Sequence, residues 1–353
     1  MYSEGDLQDA VSAGVISADA AQALRDHVAR LRATPMVDEE HFRLLTGFND
    51  IFVSIAGIIL LVALGWLGNS IRLGAAPYQP APASGVLIAL ASWALAEYFT
   101  RIRRMALPSI LLLAGFVGGL IFALVSLTQQ VFPDAGDKGG SLLMSGVAAL
   151  TALAAYAHWR RFMVPITVAA GAAAGAGVVA GLAMSVLPYS ESLFFSMLLL
   201  SGLGIFVLAM WWDMSDRART TRRSDVAFWL HLAAAPMIAH SLFQLIGVLH
   251  GDEIGAGKAM MVIALYVGFG LVALAIDRRA LLVSSLAYVL FALYTLFRQA
   301  GAVELSWALT ALVIGSALLL LSALWHNARA LVVRRLPAAA VARLPYLDRA
   351  SVA

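Results

Sequence analysis

The chain has 353 residues, 61 % of them apolar and 13 % charged, with a formal net charge of +3. An ordinary soluble domain is about 45–50 % apolar and about 25 % charged, so this composition excludes a soluble enzyme and a disordered chain and makes lipid the solvent for most of the surface. Continuous apolar runs exclude an outer-membrane barrel, whose strands alternate apolar and polar positions, and the lack of Cys excludes disulfides, thiolate zinc sites, iron–sulfur clusters and a catalytic thiol.

Residues 1–49 read as a cytoplasmic helical hairpin module. Ser3 and Asp6 have capping-box spacing ahead of a stripe of Leu7, Ala10 and Val11. Gly14 ends that helix. Ser17 caps a second one, in which Ala20, Leu24, Val28 and Leu31 share a face. Pro35 stops it. Asp38, Glu39 and Glu40 suit the first turn of a third helix, and Phe42, Leu45 and Phe52 carry that helix into the membrane. So small a hairpin cannot bury enough surface to stand alone, so its stripe lies on the chain's own bundle, on headgroups or on a partner. The first apolar run begins near residue 51, behind a charged segment too long for the n-region of a signal peptide, so no cleavable leader is expected.

The run DLQDAVSAGVISADAAQALRDHV, a charged step and then GFNDIFVSIAGIILL together resemble a family of uncharacterised bacterial polytopic inner-membrane proteins. Those proteins carry a short helical segment before many spans and have no assigned activity. The resemblance covers roughly residues 5 to 67. It implies an inner-membrane location and carries over no functional residues.

A membrane helix needs about 20 mainly apolar residues, and ten such runs are present. They extend over Asp50–Leu67, Gly85–Phe99, Leu107–Thr128, Ser141–Ala157, Met163–Leu187, Leu193–Trp212, Val226–His250, Lys258–Ile276, Leu281–Phe297 and Glu304–Trp325. The fold class is therefore an all-α polytopic membrane helix bundle. Its membrane domain spans 50–325, and a basic cytoplasmic tail occupies 326–353. With the N-terminus inside, alternate segments hold twenty Lys and Arg on the cytoplasmic side against four outside (Arg72, Lys138, Lys258 and Arg298), as the positive-inside rule requires. Both termini are then cytoplasmic. Trp66, Trp159, Trp211, Trp212 and Trp325 stand at span ends, where an aromatic belt is expected. In the tail, Ala328, Leu331, Val332 and Leu336 alternate with arginines. That pattern suits a helix on the anionic inner leaflet or simply a basic tail.

DAGDKGG at Asp134–Gly140 and DEIGAGK at Asp252–Lys258 are each followed, 26 residues after their first Asp, by an Arg-Arg pair. The same offset of 118 residues relates 85–187 to 203–305 with orientation kept. This reads either as a parallel four-helix repeat or as the recurrence of helices of standard length.

Polar groups inside spans are costly and mark sites by default. Span seven holds Pro236, His240 and Gln244 on one face, four residues apart. Pro236 removes a backbone donor and opens the helix locally. His240 lies about 21 Å along the span from the inside, where an imidazole can relay protons or hold an ion; the plainer alternative is a neutral ring bonded to a neighbouring helix. Gln129 and Gln130 end span three, either at headgroup level or lining an outward cavity with Gln244. The candidate substrate-binding set is His240, Gln244, Gln129, Gln130 and Pro236. His231 reads as structural, and Glu97, Asp213, Asp216 and Asp277 read as rim ion pairs with neighbouring arginines. Gly171, Gly175, Gly177 and Gly181 read as a close-packing face.

GAGK at Gly255–Lys258 lacks a phosphate loop's first glycine and final Ser or Thr. No catalytic residue, metal site, cofactor or nucleic-acid partner is expected. The leading function is a secondary transporter or a lipid or small-solute carrier with its site near span seven. The alternative is a scaffold or sensor that holds a cytoplasmic protein partner through the N-terminal helices. An intramembrane enzyme would need an acid–base pair, for which only His240 offers itself.

Overall fold

The computed structural model describes residues 10–24, 48–71, 79–219, 221–248, 255–300 and 305–347. The chain divides into two compact units, Met1–Leu44 and Leu45–Ala353. In the first, the described chain is helical over 10–12 and 18–24. Gly14, at φ +70°, takes the left-handed turn that stops the first helix. Its N–H donates to the Val11 carbonyl at 3.0 Å. Ser17 Oγ then accepts from the Ala20 N–H at 3.1 Å and caps the second helix. Both signals match the sequence reading; the Ser3 cap, Pro35 and the helix expected at 38–40 lie outside the described residues.

The second unit contains α1 (Phe48–Ser70), α2 (Pro82–Ala96), α3 (Ala106–Val131), α4 (Gly136–Phe162), α5 (Ile166–Val186), α6 (Glu191–Ser215) and α7 (Arg222–Leu245). There follow α8 (Ala256–Ile276), α9 (Ala280–Gln299), α10 (Ser306–Ala323), α11 (Trp325–Val333) and α12 (Ala338–Val341). The end of α2 continues as a π-helix over Glu97–Ile102. No strand occurs among the described residues. Ten helices, α1 to α10, are long and apolar enough to cross a bilayer, and the chain is an integral membrane protein.

Several helix ends differ from the expected span ends, for local reasons. The fourth helix extends beyond Ser141–Ala157 at both ends because Asp137 suits its first turn and Arg160 and Arg161 its last. The seventh stops at Leu245, short of His250. There Gly247, at φ +73°, closes the helix: its N–H donates to Gln244 O, and Val248 N–H donates to Phe243 O at 3.0 Å. This pairing, with Phe243 and Val248 both buried in the main core, is a Schellman C-cap. Through Pro236 the helix runs on without the expected break.

Consecutive helices pack as antiparallel pairs, α2 with α3, α4 with α5, α6 with α7, and α8 with α9. Seventh in order, α7 also packs on α5 and α9 and is the centre of the bundle. In its most apolar stretch 56 % of residues are buried, against 11 % in α5 and in α10. Val226, Leu230, Ala234, Ala239 and Phe243 of α7 form the heart of the core. Between α4 and α5 the approach is close: a Cβ on Gly181 would stand 2.8 Å from Ser145 Cβ, and one on Gly177 would stand 3.2 Å from Ala148 Cβ. Small residues there let the backbones meet, which is how membrane helices associate.

Ion pairs gather the ends of the even-numbered helices on one face. Glu97, at the end of α2, accepts from Arg161, at the end of α4, at 2.7 and 2.9 Å. Asp213, near the end of α6, accepts from Arg278, just past α8, at 2.8 Å.

Candidate functional site

The expected site residues separate in space. His240 is half-buried between α6 and α9, its Nδ1 sharing a hydrogen bond with the Tyr288 hydroxyl. The Phe195 ring meets it edge-on at 5.5 Å, and Tyr288 stacks on Phe243 at 4.3 Å. Pro236 is exposed rather than turned into the bundle, and Gln244 is half-buried. On α3, Gln129 is exposed, and Gln130 donates to the Pro80 carbonyl at 3.1 Å. α3 packs on α1, α2 and α4 rather than on α7, so the two glutamines do not join His240 and Gln244 in one cavity. Phase explains this. Helix α7 buries the face carrying Ala227, Leu230, Ala234 and Ile238, and Pro236 lies on the opposite face.

A cleft of about 440 Å³ opens between α5 and α6. These helices are consecutive but touch little, and α7 packs on both. The walls are Ala172, Gly175 and Val179 on one side and Leu200, Gly204 and Leu208 on the other. A Cβ built on Gly175 or Gly204 would meet nothing within 4 Å. Of the four α5 glycines read as a packing face, Gly175 therefore does something else. Its missing side chain, with that of Gly204, makes the cleft. The volume lies in the range of ligand pockets, about 300–1,000 Å³. The cleft walls hold no charged residue, so the space suits a hydrocarbon chain and disfavours an ion, whose charge would find no partner.

The sequence reading missed a buried ionic cluster at the Arg-rich end. Asp213 is 1 % exposed. Its carboxylate meets His231 Nε2 at 3.0 Å and accepts from Arg278 Nη2 at 2.8 Å. Arg278 also donates to the Ser224 carbonyl at 3.1 Å. Asp277 caps α8 in the left-handed region at φ 58°. It accepts from Arg219 Nη1 at 2.9 Å and from the Trp325 indole N–H at 2.7 Å. Arg219 bonds the Ile276 carbonyl as well, at 2.9 Å. Arg329 holds the tail, donating to the Pro345 carbonyl at 2.9 Å and the Tyr346 carbonyl at 3.2 Å. Arg217 donates to the Leu344 carbonyl at 2.7 Å and lies 4.2 Å from the Tyr346 ring centre.

The rim reading of Asp213 and Asp277 is thereby corrected: both are buried, because residues 325–347 fold back over the ends of α6 and α8. Trp325, expected in the aromatic belt, is 4 % exposed and serves this cluster instead. The tail face carrying Trp325, Arg329 and Val333 packs inward, against α8. Glu97 keeps the rim role, pairing with Arg101 and Arg161 at the surface, and Asp216, 8 % exposed, accepts from the Thr221 N–H at 2.9 Å and hydroxyl at 2.7 Å.

His158, one residue beyond the expected fourth span, is buried among Trp93, Phe116 and Phe162, with Thr167 Oγ1 at 3.2 Å from Nδ1. Among the described residues no group of three His, Cys, Asp or Glu is placed to hold a metal ion. No family model, curated protein or solved structure matches the chain. The class that fold and cleft define is an integral membrane protein of ten apolar helices with a laterally open apolar cleft.

Proposed function

We propose that this protein is a carrier of lipid-like solutes in a bacterial inner membrane. The observation that carries the reading is the α5–α6 cleft: an apolar space of about 440 Å³, kept open by Gly175 and Gly204 and backed by the central helix α7. Next along α6, Phe195 touches the His240 ring and Met197 lines the cleft. Phe195 and Met197 are two residues apart and so point to opposite sides of α6, which leaves His240 across that helix from the cleft. Gln129, Gln130 and Pro236 have no part in it.

A parallel duplication is part of the proposal. Two features support it. A Cβ on Gly119 would stand 2.7 Å from the Gly85 carbonyl oxygen where α2 and α3 cross, and one on Gly202 would stand 2.9 Å from Met237 Cβ where α6 and α7 cross. Gly202 follows Gly85 by 117 residues. Left-handed residues also recur at matching joints, Arg104 after α2 and Arg219 after α6, then Met163 after α4 and Asp277 after α8.

Purified protein in vesicles is expected to speed the movement of a fluorescent-acyl phospholipid between leaflets. A rate equal to that of protein-free vesicles would overturn the carrier reading. The orientation, with both termini cytoplasmic, rests on the twenty-to-four Arg and Lys split. Reporter fusions after 135 and 253 should report the outside, and those after 219 and 353 the inside; one consistent reversal contradicts it.

A further inference from the structure

A second cavity, of about 350 Å³, lies between α1, α2 and α3. Ser54, Gly57 and Leu61 line it from α1, Phe99 from the π-helical end of α2, and Pro108 and Leu112 from α3. It is apart from the α5–α6 cleft and stands whether or not that cleft carries lipid. Three features mark it as a built site. First, Ser54 is 5 % exposed, and its Oγ makes no hydrogen bond within the protein. A buried hydroxyl without a partner is destabilising. Second, a Cβ on Gly57, one turn further along α1, would meet nothing within 4 Å, so the glycine leaves room beyond the hydroxyl. Third, Phe99 reaches the cavity from a π-helix, a costly local geometry that is frequent at functional sites.

We infer that the α1–α3 cavity binds one aliphatic chain ending in a neutral hydrogen-bonding oxygen, as in a long-chain alcohol or an ester lipid, with that oxygen at Ser54. The polarity of the head follows from the lining. The hydroxyl of Ser54 can give or accept one hydrogen bond, and no cation lines the cavity to balance a carboxylate. Ser54 lies six residues from the start of α1, about 9 Å along the axis. That depth puts the head near the membrane surface and lets the chain run inward past Gly57 and Leu61.

The test uses the purified, delipidated full chain in detergent with radiolabelled cetyl alcohol as probe, and hexadecane and palmitate as competitors of equal chain length. Saturable binding is expected, displaced better by unlabelled cetyl alcohol than by hexadecane or palmitate. Ser54→Ala should weaken it about fivefold, the worth of one net hydrogen bond. Gly57→Leu should abolish the alcohol-selective binding, leaving at most the uptake indifferent to the head group that the α5–α6 cleft gives, with the melting midpoint unchanged, because the added side chain fills empty space. Gly204→Leu, which fills the other cavity, should leave the alcohol-selective binding intact. Equal competition by hexadecane, tighter binding of palmitate, or alcohol-selective binding that survives Gly57→Leu but is lost with Gly204→Leu would each overturn the inference.

Discussion

Asp213→Ala is expected to destabilise the protein by about 3–5 kcal/mol, the usual cost of removing one partner from a buried ion pair. The carboxylate serves two buried groups at once, His231 at 3.0 Å and Arg278 at 2.8 Å, and both are less than 5 % exposed. Its loss takes the shared carboxylate from a guanidinium and an imidazole that are both closed to water, with Asp225 the other acid near Arg278. Arg278 keeps its bond to the Ser224 carbonyl, so the charge is not wholly without partners, which favours the lower end of the range. The same reasoning predicts a rescue. An apolar triple substitution, Asp213→Leu with His231→Phe and Arg278→Met, removes all three polar groups together and should recover most of the loss, because well-packed apolar replacements of buried pairs are often neutral. Thermal unfolding of the purified protein reads both. A single variant within about 1 kcal/mol of the parent, the scale of an exposed pair, would mean that this cluster is not closed to solvent.

Filling the cleft should stop transport without harming the fold. Gly175→Leu and Gly204→Leu each add a side chain into space where a Cβ meets nothing within 4 Å. A leucine in a membrane helix costs nothing in lipid and has better helix propensity than glycine by up to about 1 kcal/mol, so stability should hold or rise. Phospholipid exchange should fall to the protein-free rate, at least in the double variant. Gly181→Leu is the contrast. A Cβ there already stands 2.8 Å from Ser145 Cβ and 2.9 Å from the Ser141 carbonyl oxygen, so that variant should lower stability by prying α4 from α5. If all three variants melted alike and exchanged lipid alike, the distinction between packing glycines and cleft glycines would fail.

The membrane helices were legible because one physical demand, about 20 apolar residues per crossing, leaves a mark that needs no tertiary knowledge. Their ends were less so, since Asp137 and the Arg160–Arg161 pair look like loop residues yet favour a helix's two termini. Gly247 was a readable stop that the apolar run past Leu245 obscured. Gly175 and Gly181 have equal claims in sequence. Only the phase of α5 against both α4 and α6 separates packing from cleft. His240 could be singled out, but its partner Tyr288 lies 48 residues away. Asp213 and Asp277 were read as rim acids because each stands beside arginines at a span end. What buries them is the return of residues 325–347 over that end, a contact between segments far apart in the chain.

A structure determined in lipid nanodiscs tests the central claim most directly. The account predicts elongated, chain-shaped density in the cleft between Gly175 on α5 and Gly204 on α6, with α7 behind it. Helices α5 and α6 closed upon each other along their length, with no space between those two glycines, would contradict it.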